Sequence, residues 1–136
     1  MELVTHQIST TQRQMVTGDF LELNVWQRSK DFAVDIYRIT ERGPFKKDQN
    51  LKVRVRSTAV SIASRIAEAD EMGAGAGAVR LFNSARGSIA NLVTQLAIAY
   101  EIGYLTGHCF DQIREECQAI SGMLARLINA RVRAAH

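Results

Sequence analysis

The stretch LKVRVRSTAVSIASRIAEA, Leu51 to Ala69, decides the fold. Its first residues can be read in two ways. Leu51, Val53 and Val55 alternate with Lys52, Arg54 and Arg56, which is the pattern of a half-buried strand. Leu51, Val55, Ala59, Ile62, Ile66 and Ala69 instead recur at threes and fours, which is one face of a helix. The alternation stops soon after Val55, while the helical spacing continues to Ala69. A helix is therefore expected, with Asp48 as its N-cap.

Working outward, the same period appears on both sides. Val25, Trp26, Ser29, Phe32, Ala33, Ile36, Tyr37 and Thr40 mark an earlier helix ending near Arg42, where Gly43-Pro44-Phe45 breaks it. Asp19 and Glu22 are placed to cap its start. Residues 1–18 have no steady period and read as a loosely held arm ahead of a helical domain at 19–136. A third helix is expected from about Ala78 to Tyr104, and a fourth after Gly103 and Gly107. That last one carries Phe110, Ile113, Cys117, Ile120, Leu124 and Leu127 as a bundle-type seam, and is expected to fray over residues 131–136. Four helices with short connections predict an all-α protein, an antiparallel up-down-up-down four-helix bundle. Its expected core is Trp26, Phe32, Ile36, Ile62, Ile66, Phe82, Ile89, Leu96, Ile113, Ile120 and Leu124.

The glycines of GAGAGA, Gly73 to Ala78, invite a phosphate-loop reading. A dinucleotide fingerprint needs a strand before the glycines and an acid about 20 residues after them, and neither is present. No GKS or GKT follows, so a P-loop is excluded as well. The stretch reads as a helix–helix connection.

Other catalytic constellations are missing. The positions three before His6, His108 and His136 are Leu3, Leu105 and Arg133, so no Glu-x-x-His metal motif exists. His108, Cys109 and Asp111 lie at a helix start, where capping by Asp is the simpler role. Glu68, Asp70 and Glu71 read as a solvated acidic cluster. There is no nucleophile elbow. No catalytic residue, metal or cofactor is expected. Cys109 and Cys117 are eight apart, too distant on a helix to pair, which fits a reduced cytoplasmic protein. No charged-then-apolar leader opens the sequence, and no uncharged run is long enough for a bilayer span.

The 136 residues carry a formal charge of +3. Lys46, Lys47, Lys52, Arg54, Arg56 and Arg65 crowd the second helix and its approach. Arg126, Arg131 and Arg133 cluster near the end of the chain. These are the candidate nucleic-acid contacts, with Lys52 and Arg56 on the side of the helix away from the apolar stripe. No aromatic residue is interleaved with them. The third helix has no charged residue from Gly87 to Tyr100, which predicts cover by another subunit. Gly87, Ser88, Ala90 and Ala97 are the candidate interface residues.

Several segments carry a resemblance. VW at Val25–Trp26, IYRIT at Ile36–Thr40, AVSIASRIAEA at Ala59–Ala69, ARGSIANLVTQL at Ala85–Leu96 and IGYL at Ile102–Leu105 resemble the four-helix-bundle family encoded by intervening sequences of large-subunit ribosomal RNA genes. Related accessory proteins serve reverse transcriptases of diversity-generating retroelements. Arg65, Ala69 and Asn91 depart from the family's usual Asn, Gly and Glu, and Ala63 stands where proline is common. The resemblance implies a homopentameric ring with RNA or DNA as partner and no catalytic residues. A protein-binding adaptor, for a polymerase for example, and a small-molecule enzyme with a site between subunits are the competing expectations.

Overall fold

The structure is a computed structural model that describes Phe20 and residues 23–134. The arm expected at 1–18, and the caps expected at Asp19 and Glu22, lie outside the described residues. Those described are helical, with no strand among them. The elements are α1 (Asn24–Ile39), α2 (Gly43–Lys47), α3 (Gln49–Met72), α4 (Ala76–Glu101) and α5 (Gly107–Ala134).

The deciding stretch is helix α3, and burial shows why the alternation misleads. Val55 is sealed, whereas Val53 is 60% exposed. A strand would have put both on one face. The expected stripe from Val55 through Ala59, Ile62, Ile66 and Ala69 is buried. Asp48 caps the helix as expected, its Oδ1 accepting from the Leu51 N–H at 3.0 Å. Its other carboxylate oxygen accepts from the Tyr104 hydroxyl at 2.9 Å. One aspartate thus joins the start of α3 to the turn after α4.

Gly43-Pro44-Phe45 does end the first helix, but it is itself a turn of helix. Pro44 occupies the first turn, where its missing N–H costs nothing. Gly43 supplies a positive φ of 54°. The turn drives Phe45 into the interior, fully buried, with its ring 5.3 Å from that of Tyr104. Thr40 closes α1 by donating its hydroxyl to the Ile36 carbonyl at 2.8 Å.

The glycine stretch is a connection, and two of its glycines are required by the backbone. Gly73 has φ 76°, and Gly75 has φ 109° with ψ 179°, a region open to glycine alone. They end α3 and turn the chain into α4 within three residues.

α3 packs on α4, α4 on α5, and α1 on both α3 and α5, more thinly on the latter. Their inward faces share one apolar core. Every residue expected there is buried except Trp26, which is only half-buried. Its ring lies on the flank of α1 against Phe20, at 5.1 Å, rather than in the interior. The fourth long helix, expected to fray over residues 131–136, is helical to Ala134. The thin contact of α1 with α5 is braced by Arg28, which donates to Glu116 from Nε at 2.6 Å and from Nη2 at 2.9 Å. The Glu116 carboxylate raises the Arg28 pKa.

Candidate nucleic-acid interface

The basic residues singled out in the sequence fall into separate places. Lys46 and Lys47, on α2, and Arg54, on α3, are exposed and enter no ion pair among the described residues. Arg38 and Arg42, not among the candidate contacts expected from the sequence, are exposed on the last turn of α1 and the link to α2. Their charge was legible in the sequence. What was missing was the turn at Gly43 that folds the end of α1 back beside the start of α3.

Lys52 and Arg56 behave differently from expectation. Lys52 is buried, and its Nζ lies 3.3 Å from Glu41 Oε1. Arg56 donates from Nη2 to the same oxygen at 2.6 Å and to the Tyr37 carbonyl at 3.2 Å. Its Nε donates to Thr40 Oγ1 at 2.8 Å, and its guanidinium stands 4.5 Å over the Tyr37 ring. The Arg56 bond, more than the Lys52 bond, holds the Glu41 carboxyl below the usual carboxylate range. Glu41 therefore offsets these two cations. Asp48 is committed to its cap, and the Leu51 N–H followed by the Tyr104 hydroxyl lowers its pKa. Lys52 and Arg56 tie the corner of α1 to α3.

The C-terminal arginines lie at the other end of α3. Arg131 donates from Nη2 to Asp70 Oδ1 at 2.5 Å and from Nη1 to the Gly73 carbonyl. It also stands 5.3 Å over the Phe82 ring. Asp70 is thus paired, while Glu68 and Glu71 are exposed. Arg126 and Arg133 are exposed. A 24-residue helix at about 1.5 Å per residue puts roughly 36 Å between this end and the Lys46 corner. Arg65 lies partway along α3, half-buried, with no hydrogen-bond partner for its Nε among the described residues.

On α4, Gly87 and Ala90 are exposed, Ala97 is half-buried, and Ser88 is buried within the subunit, 3.2 Å from Ser61 Oγ. Asn91, Thr94 and Ile98 continue the exposed uncharged face, and Ile98 is 50% exposed.

Thr106, not Asp111, caps α5, its hydroxyl accepting from the Cys109 N–H at 3.1 Å. Cys117 is buried, and burial pushes its thiol up to about 12. Among the described residues no group of three or more His, Cys, Asp or Glu side chains is placed to hold a metal. No described helix is long and apolar enough to cross a membrane.

These features define a helical protein with an exposed basic corner and an uncharged outer face on α4. The chain belongs to the 23S rRNA-intervening sequence protein family, whose model matches residues 21–126. A search of curated proteins found no match.

Proposed function

We propose that this is a non-enzymatic cytoplasmic protein that binds nucleic acid through its basic corner. The observation that carries the reading is that Arg38, Arg42, Lys46, Lys47 and Arg54, between the last turn of α1 and the start of α3, are all exposed and outside the ion pairs of the described residues. Counterion release on contact with phosphates would drive such binding. Arg126 and Arg133 form a second, weaker site at the far end. The resemblance to accessory proteins of retroelement reverse transcriptases favours the same role.

The long helices are read as an antiparallel up-down-up-down bundle. Short connections support this, as do two end-to-end ties: Tyr104 to the start of α3, and Arg131 to its end. The assembly is read as a homopentamer formed partly through the uncharged face of α4. Repetition around a ring would multiply weak phosphate contacts into avidity. Ile98 on the same uncharged face is the observation that favours the alternative reading, a protein-binding adaptor.

Fluorescence anisotropy against labelled RNA and DNA tests the first reading. Binding should fall steeply with salt, and Lys46→Glu with Lys47→Glu should weaken it. These replacements disturb no ion pair of the described residues, unlike changes at Lys52 or Arg56. The absence of binding to either polymer at low salt would refute the reading. Light scattering tests the assembly: Ala90→Glu should lower the mass without loss of helix, and a wild-type monomer at micromolar concentration would refute it. Nuclease-resistant co-purification of one protein partner, without nucleic-acid binding, would favour the adaptor.

A further inference from the structure

The sequence interleaves no aromatic residue with the basic run of α3, but the fold brings them from α1. Trp26, Lys30, Ala33 and Tyr37 recur at fours and threes and so share a flank of that helix. Facing them, α3 contributes Val60, Ala63 and Ala67. Between lies an open groove of about 590 Å³ with an almost wholly carbon lining. Its floor is low because alanines form it. Trp26 and Tyr37 stand toward its two ends, about 16 Å apart along the axis of α1 at 1.5 Å per residue. Tyr37 is 44% exposed and Val60 41%.

Each ring has a cation beside it. Lys30 Nζ is 5.8 Å from the Trp26 ring and also 3.0 Å from Asp31 Oδ1. Arg56 covers one side of Tyr37. Beyond the Tyr37 end, the exposed cations Arg38 and Arg42 follow in the chain within five residues. Lys30 and Arg56 are paired with Asp31 and Glu41, so the rings and the apolar floor would take unpaired bases while the exposed cations beyond Tyr37 take the phosphates. Bases stack on rings regardless of sequence, and phosphates follow the positive charge.

The geometry points to single-stranded nucleic acid as the ligand of this groove, with unpaired bases against Tyr37 and Trp26 and phosphates on the Arg38–Lys47 corner. This rests on the nucleic-acid reading above and narrows it to one kind of strand. A duplex hides its base faces and would leave the carbon lining empty. A second copy of a chain with net charge +3 is the poorer electrostatic match for a groove that ends beside the exposed cations Arg38 and Arg42.

Trp26 is the sole tryptophan, so its emission reports on this groove alone. The full-length protein is titrated at low salt with a single-stranded RNA oligonucleotide, and with the same strand annealed to its complement. The single strand should bind more tightly and quench Trp26, and the duplex should leave the emission unchanged. Tyr37→Leu should weaken the single strand by about 5- to 150-fold, the usual cost of a lost stacking partner, and spare the duplex. Val60→Glu, at an exposed position on the groove, should act in the same direction through charge. Arg42→Glu with Lys46→Glu should weaken both polymers. Equal binding of both forms, with no quenching and no effect of Tyr37→Leu, would overturn the inference and leave the broader reading standing. No binding of either would overturn both. A fall in assembly mass for Tyr37→Leu or Val60→Glu would show that the groove is a subunit interface and would also overturn the inference.

Discussion

Phe45→Ala should be among the most damaging single replacements in the chain. Phe45 belongs to a five-residue helix between two long ones, a place where a loop residue would ordinarily be replaced at little cost. Here its side chain is fully buried. Removing it forfeits the transfer free energy of a phenyl ring, about 1.5–3 kcal/mol. It also leaves a cavity, because Tyr104 is held in place by its bond to Asp48 and cannot collapse into the space. The two effects together give about 3–5 kcal/mol. Lost contact with the Tyr104 ring contributes up to about 1.5 kcal/mol within that range. Urea denaturation followed by circular dichroism measures it, at one fixed protein concentration because assembly contributes to stability. Lys46→Ala, the exposed neighbour, is the control and should change stability by less than about 0.5 kcal/mol. If Phe45→Ala costs no more than that control, the α2 turn is not part of the core. The placement of Lys46 and Lys47 by that turn would then fail with it.

Three further outcomes follow from single features. Gly75→Ala should destabilise by about 1–3 kcal/mol in thermal denaturation, since φ 109° with ψ 179° suits glycine alone; an unchanged melting temperature would contradict this. The Glu41 carboxyl is depressed by its pairing, so its contribution is present above the unfolded carboxylate pKa and is lost as pH falls through the folded value. Glu41→Gln should therefore be less stable than wild type at neutral pH, and the gap should close in acid; a gap independent of pH would refute the pairing. Cys117, with its thiol pushed up to about 12, should resist alkylation at mildly alkaline pH until the protein is unfolded, and rapid labelling of the native state would refute its burial.

The helices were legible because their signal is local. Spacing within α3, α4 and α5 depends only on residues a turn apart, and Asp48 as a cap depends on one side chain reaching three residues on. The glycine connection was legible for the same reason. What was not legible required knowledge of how helices meet. Trp26 has core spacing, yet it sits at the edge of the α1 stripe, and only the position of α3 decides that this edge is a groove. Phe45 follows a proline and reads as a breaker, yet the turn that proline permits buries it.

The basic site failed in a more instructive way. Counting cations along α3 treats every one as available, but availability depends on carboxylates distant in sequence. Glu41 lies in the link after α1, and it engages Lys52 and Arg56 because the Gly43 turn folds that link onto α3. Asp70 engages Arg131 from 61 residues away. The pairs do mechanical work: Arg56 bonds three groups at the end of α1, and Arg131 occupies a carbonyl and a carboxylate at the end of α3. Solvent and salt weaken such partly exposed pairs, so their value lies in geometry more than in energy. By holding the corner they fix the backbone that displays Arg38, Arg42, Lys46 and Lys47. Neutralising Lys52 or Arg56 would therefore reduce any nucleic-acid affinity indirectly, through loss of the corner, whereas neutralising Lys46 or Lys47 would reduce it directly and leave stability unchanged. Measuring affinity and stability on the same variants separates the two routes. Equal loss of affinity with unchanged stability in both sets would refute the division of labour drawn here.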